Sequence, residues 1–202
     1  MERILFNLLS LLYGIQTIRV LITLKRRWTS FWDPTFTPAD WRLAQELGVF
    51  VFIPIGVFWH EVGHWWAARQ AGLTNVEFHY RLFWGYVAYA GTVPPLTEWW
   101  IALAGNIVSV AFGFALALWG YYGRTLPLPA RYTLLYAGQV QTIYALVGYP
   151  LLSFAGFEGD WVTIYAFDRT PWLSTIALIG HLVLLFGSLT WWRTHVSPTS
   201  TS

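Results

Sequence analysis

No cysteine occurs among the 202 residues, which excludes disulfides, iron–sulfur clusters and thiolate zinc sites. Charge is equally scarce. Charged residues make up 11% of the chain, against about 25% in soluble domains. With so little polar surface the chain cannot cover a globule in water, so a soluble domain is excluded. A disordered chain is excluded as well, because that requires low hydrophobicity and high net charge. The net charge of +2 gives no electrostatic reason to expect nucleic acid or an acidic partner.

What the chain has in abundance is apolar and aromatic. Hydrophobic residues reach 56%, and the mean hydropathy is +0.47. Of the 14 tryptophans, Trp28, Trp32, Trp99, Trp100, Trp119, Trp172, Trp191 and Trp192 lie near the ends of apolar runs. An indole has an apolar body and one polar N–H, which suits the headgroup boundary of a bilayer. A helix crossing about 30 Å of hydrocarbon needs about 20 apolar residues. Segments 47–69, 99–122, 131–154 and 173–192 meet that need. Segment 4–24 is either a first span or an interfacial helix, since it carries Asn7, Gln16 and Arg19. The expected fold is an all-α transmembrane bundle of about five membrane segments, as one membrane-embedded domain over 1–202 with its core at 47–192.

The connections differ in kind. Residues 73–95 read as a β-hairpin loop, with β-prone residues 76–81 and 86–89 on either side of a turn at Trp84-Gly85. Residues 123–130 read as a Pro/Gly turn, and 197–202 as a disordered tail. The first apolar run is too long for a secretory signal peptide, and no small-residue cleavage site follows it. The expected location is a multi-pass position in the cell (plasma) membrane.

One constellation carries chemistry. Segment 47–69 contains His60-Glu61-Val62-Gly63-His64. On an α-helix, positions i and i+4 share a face, so two imidazoles there can bind one Zn²⁺. The Glu beside the first His can take a proton from water at that metal. Composition alone predicts about 0.004 such matches in a chain of this make-up. Ionisable groups inside a span are expensive and usually functional. Hydrolysis there also requires a cavity that admits water.

The stretch from Trp59 through His60-Glu61-Val62-Gly63-His64 to Gly72 resembles the active-site helix of the site-2 protease family, the intramembrane zinc metalloproteases. The resemblance implies a zinc metalloendopeptidase that cleaves peptide bonds within or next to transmembrane segments, with a membrane protein as substrate and the lipid bilayer as surroundings. It implies that a β-strand near the site pairs with the unwound substrate, a position that 76–89 can fill. It also implies an Asp in a later span as third zinc ligand. Tyr149-Pro150 leads here to Glu158-Gly159-Asp160, so Asp160 takes that role, with Glu158 and then His181 as rivals. The order Gly159-Asp160 reverses the family's Asp-Gly. Ala104-Gly105-Asn106-Ile107-Val108-Ser109 resembles the family's Ala-Gly-Pro-x-x-Asn motif. That implies Asn106 and Ser109 near the substrate backbone, and small-residue helix packing explains the same residues. Gln139 and Gln141 either donate to substrate carbonyls or bridge helices.

The expected roles are zinc ligation by His60, His64 and Asp160, general base and acid by Glu61, and substrate contact by Asn106, Ser109 and Glu158. The alternative is a zinc-binding membrane scaffold without proteolysis, suggested by the altered Asn106 and Gly159-Asp160 motifs. An ion transporter ranks below both, because no inverted repeat or broken-helix pair is visible. Orientation stays open. The basic residues Lys25, Arg26, Arg27, Arg42, Arg124, Arg131 and Arg193 put the hairpin outside by the positive-inside rule, whereas the family resemblance implies it on the cytoplasmic side.

Overall fold

The computed structural model describes residues 2–157 and 159–195, with side chains from Phe6 onward. Glu158 and the 197–202 tail therefore lie outside the described residues. The elements are α1 (Glu2–Arg26), α2 (Trp28–Phe31), α3 (Pro38–Phe50), α4 (Phe52–Gln70), β1 (Glu77–Arg81), β2 (Trp84–Ala88), α5 (Pro95–Tyr122), α6 (Leu128–Ile143), a π-helical turn (Tyr144–Gly148), α7 (Tyr149–Phe154), α8 (Asp160–Ile164) and α9 (Pro171–His195). Among the described residues four helical stretches are long and apolar enough to cross a membrane: Phe6–Arg26, Pro38–Gln70, Pro95–Tyr122 and Pro171–His195. The chain is a multi-pass, mostly helical membrane protein with one two-stranded antiparallel hairpin.

Three expectations need correction. The second span begins at Pro38 instead of 47, because α3 and α4 join at Val51 into one 33-residue stretch. The charges before Leu47 hide that start. Asp40 closes a capping box with Thr37, and Pro38 sits at the first helical position. The Asp40 carboxylate also accepts from Arg27 at 2.8 Å, while Glu46 pairs with Arg19 of α1 at 3.0 Å. Segment 131–154 is helical throughout, with the π-helical turn inside it, and is not among the stretches long and apolar enough to cross. Among the described residues there are four such helices, against about five expected.

The hairpin turn is the third correction. Leu82 and Phe83 make the turn, with Leu82 at φ 57°, and Trp84-Gly85 belong to β2. Leu82 packs on Gly14 of α1. Gly85 is needed elsewhere, since a Cβ on it would meet Glu61 Cγ at 2.6 Å and His79 O at 2.8 Å. The strands pair His79 with Tyr86 and Tyr80 with Gly85. The hairpin is tied to the bundle by Ser10 Oγ donating to Arg81 O at 2.6 Å and by Tyr80 OH donating to Pro54 O at 2.8 Å.

Small residues set the bundle's spacing. In lipid, helices associate through close backbone packing more than through hydrophobic burial. At the α4–α5 contact Ala67, Ala68, Ile101 and Ala104 are all buried. A Cβ on Gly63 would stand 2.8 Å from Ala104 O and 2.9 Å from Gly105 Cα. Helix α6 packs on α5 through Ala137 and Leu134 against Leu116. The tryptophans divide: Trp99 and Trp192 are buried, while Trp28, Trp119 and Trp172 are exposed. Trp99 Nε1 donates to Ile164 O at 3.1 Å, which pins α8 to α5.

Candidate metal centre

Helix α4 carries His60 and His64 one turn apart, on its buried side against α5. Each ring is fixed from behind. His64 Nδ1 lies 2.7 Å from Ile101 O, and only an N–H can bond a carbonyl, so Nδ1 carries a proton and, in the neutral ring, Nε2 carries the lone pair. His60 Nδ1 lies 2.9 Å from Ser109 Oγ, on the same face of α5. The His64 ring rests on Gly105, where a Cβ would fall on Cε1 and Nε2.

Asp160 arrives from the far end of the chain, at the start of α8. Its Oδ2 lies 3.0 Å from His60 Nε2 and 3.0 Å from His64 Nε2, and the two Nε2 atoms are 2.9 Å apart. Asn106 Nδ2 donates to the same oxygen at 3.1 Å and Tyr149 OH at 3.0 Å. His60, His64 and Asp160 are the described residues whose ligand atoms come together as a group able to hold a metal ion.

The donor set fits a small divalent cation. Two imidazole nitrogens and one carboxylate oxygen are a known ligand set for catalytic zinc. Tetrahedral ligands at about 2.0–2.2 Å from a common ion stand about 3.3–3.5 Å from one another. The edges observed are a few tenths of an ångström shorter. Lone pairs on both Nε2 atoms, crowded against a carboxylate, also repel unless a cation or proton lies between them. Each Nδ1 has a partner, Ile101 O for His64 and Ser109 Oγ for His60, the outer arrangement that orients metal-binding imidazoles.

Protein-family models, curated proteins and solved structures give no match to this chain.

A cavity of about 500 Å³ opens onto the cluster, within the usual size range of ligand sites. His60, Glu61, His64 and Asp160 all line it, as do Gly85, Tyr86 and Val87 of β2. Glu61 is buried, its Oε2 has no hydrogen-bond partner among the described residues, and β2 presses on its methylene through Gly85. Outside the spans, burial raises the Tyr89 phenol above its ordinary value, and Glu98 and Asp160 add to the shift. That wall of the cavity is therefore a neutral donor.

The residues singled out from sequence are distributed as follows. Asn106 and Ser109 are buried and stand behind the cluster, on Asp160 and His60 respectively. Ser109 also reaches the cavity wall. His181 is outside the cluster: Tyr165 OH lies 2.5 Å from its Nδ1, and its Nε2 donates to Leu146 O in the π-helical turn at 2.6 Å. It is the helix-packing histidine of α9. Gln139 is half-buried, while Gln141 is buried on the cavity wall. Sequence reading gave Tyr149 no role, yet it holds Asp160 through both the carboxylate and the backbone N–H, the latter at 3.3 Å. The signal available was its position just before Pro150, in the stretch that leads to Asp160.

Proposed function

We propose that this protein is a membrane-embedded zinc metalloprotease of the site-2 protease type, hydrolysing peptide bonds within or next to transmembrane segments of membrane proteins. The observation that carries the reading is the triangle of His60 Nε2, His64 Nε2 and Asp160 Oδ2, with edges of 2.9–3.0 Å, in one cavity with Glu61, whose Oε2 has no partner among the described residues.

His60, His64 and Asp160 would hold the ion. The chemistry supplied by bound zinc is Lewis acidity toward a carbonyl and toward water. Glu61 takes the proton of the attacking water and delivers it to the leaving amine nitrogen. That Oε2 has no partner among the described residues supports this role, because a carboxylate already bonded elsewhere is a poorer base. Asn106 and Tyr149 hold the Asp160 carboxylate in place, and Ser109 and Ile101 O hold the imidazoles. Among the described residues strand β2 pairs with β1 alone and lines the cavity, so its other edge can receive an extended substrate segment.

The test is Glu61→Gln in purified protein presented with single-span helical substrates. The variant keeps its zinc and loses cleavage by at least about 100-fold. Full cleavage by Glu61→Gln sinks the reading.

A second reading has one observation in its favour. Asp160 Oδ2 already accepts from Asn106 and Tyr149 as well as facing both imidazoles, an arrangement that holds together without turnover. On that reading the protein is a zinc-binding membrane scaffold. Wild-type protein that retains zinc and cleaves no helix presented to it establishes the scaffold and removes the protease.

A further inference from the structure

Gln141 is one of three residues on the cavity wall, with Glu61 and Trp84, that carry a buried polar atom with no partner among the described residues. Gln141, at the end of α6, is 1% exposed, and its Oε1 makes no hydrogen bond among the described residues. No bond to its Nε2 is present among them either. A buried amide in that condition forfeits about 1–3 kcal/mol relative to one that is satisfied. Gln141 lines the same cavity as His60, Glu61 and Asp160.

Its placement is specific. The amide lies flat against Gly56, where a Cβ would fall on its Oε1, Cδ and Nε2 together. Any side chain at position 56 would displace it. Gly56 is four residues before His60, so on α4 it lies on the same face, about 6 Å along the axis from the first histidine. An extended peptide advances about 3.3 Å per residue. The Gln141 amide therefore stands one to two residues along such a peptide from the cluster. A carboxamide offers one acceptor and one donor side by side, and a peptide unit offers the complement. The unpartnered oxygen needs a donor, and the donor that a peptide unit supplies is its N–H.

We infer that Gln141 is a substrate-positioning residue whose Oε1 accepts the backbone N–H of a peptide unit flanking the bond held at the His60–His64–Asp160 cluster. The inference rests on the protease reading for the nature of the occupant. It deepens that reading by assigning recognition to a main-chain group, so that the side chains of the substrate are left unread at this point. Gly56 is part of the same device, because it is the floor that aims the amide.

Binding of a chelating probe tests this without turnover. The probe is an N-acyl tri-leucine hydroxamate, compared with two analogues in which the first or second peptide bond from the hydroxamate is an ester. An ester keeps the shape and loses the N–H. Full-length zinc-loaded protein in detergent binds one ester analogue about tenfold more weakly than the amide, the loss of one hydrogen bond. In Gln141→Met, which keeps the length of the side chain, that ratio falls to about one. Acetohydroxamate, which reaches only the metal, binds wild type and variant alike. Gln141→Glu, which retains acceptor oxygens, keeps the preference for amide over ester.

Equal binding of the amide and both esters to wild type overturns the inference with no variant needed, and identifies water as the partner of Gln141. Failure of the amide probe to bind zinc-loaded wild type overturns it too. The protease reading fails separately. Ester discrimination that disappears in Gln141→Met, in a protein that cleaves no helix, removes the hydrolase and leaves the peptide-binding role of Gln141 standing.

Discussion

Replacing Gly105 by alanine tests the metal centre through a residue that binds nothing. The new methyl would fall on Cε1 and Nε2 of His64 and stand 2.9 Å from Cδ2. Carbon contacts settle at about 3.5–4.0 Å, so the ring must retreat by about 1 Å. Metal ligands tolerate displacements of about 0.2 Å, and the ring cannot move while Nδ1 keeps its 2.7 Å bond to Ile101 O. Losing an outer partner alone costs about 10–100-fold in affinity. With the ligand atom displaced as well, the expected loss of zinc affinity is about 100-fold or more. Stability responds differently. Alanine in a helix interior gains about 1 kcal/mol over glycine, which offsets part of the about 1–3 kcal/mol cost of overpacking. The assay is competition with a zinc chelator, run beside thermal unfolding in detergent. Gly180→Ala is the control, because its methyl would meet nothing within 4 Å. Wild-type zinc affinity in Gly105→Ala with an unchanged melting temperature refutes the placement of His64 as a ligand.

Other perturbations reach other parts of the same reasoning. Asp160→Ala lowers zinc from about one per chain to near zero by elemental analysis; one zinc in both proteins moves the third ligand away from Asp160. Ser109→Ala, which removes the partner of His60 Nδ1, weakens zinc about 10–100-fold in the chelator competition, and an unchanged affinity argues against Ser109 as its support. His181→Phe leaves zinc stoichiometry untouched, because His181 serves Leu146 O and Tyr165; loss of zinc there contradicts the geometry. Arg27→Ala leaves Asp40, 1% exposed, with Thr37 as its remaining partner. It lowers stability by about 1–3 kcal/mol, read as a drop in melting temperature with no change in zinc content.

How much was legible in the sequence depended on how local the information was. His60, Glu61 and His64 follow from helical spacing within five residues, and the structure places them on one buried face of α4. Asp160 has no such local signature, since nothing near it in the chain faces it. Its place beside the histidines depends on α8 docking against α5 through Trp99 and Ile164. Asn106 and Ser109 were legible as polar positions in a span. That they stand behind the His60–His64–Asp160 cluster depends on which face of α5 meets α4, where small residues at 63 and 105 allow the close contact. The hairpin was legible from β-prone composition, but its turn was not. A glycine normally marks a turn; Gly85 is instead where a strand passes over Glu61, and Leu82 accepts the left-handed backbone while it packs on α1. The start of the second span was hidden because Asp40 and Glu46 read as loop charges until their partners Arg27 and Arg19 are brought against them.

The π-helical turn at Tyr144–Gly148 has a consequence for the phase of the helix that contains it. In a continuous α-helix each residue advances by about 100°, so Gln141 and Tyr149, eight residues apart, would point about 80° from each other. A π turn absorbs one residue without advancing the helix, which leaves seven effective steps and brings the two directions to within about 20°. One surplus residue thus acts as a phase shifter. It turns the group that reaches Gly56 and the group that holds Asp160 toward the same cavity, which an uninterrupted helix of this sequence would divide between two faces. Four residues after Leu146 stands Pro150, which has no N–H to give the Leu146 carbonyl; His181 donates to that carbonyl instead at 2.6 Å, so the turn is held from a separate helix.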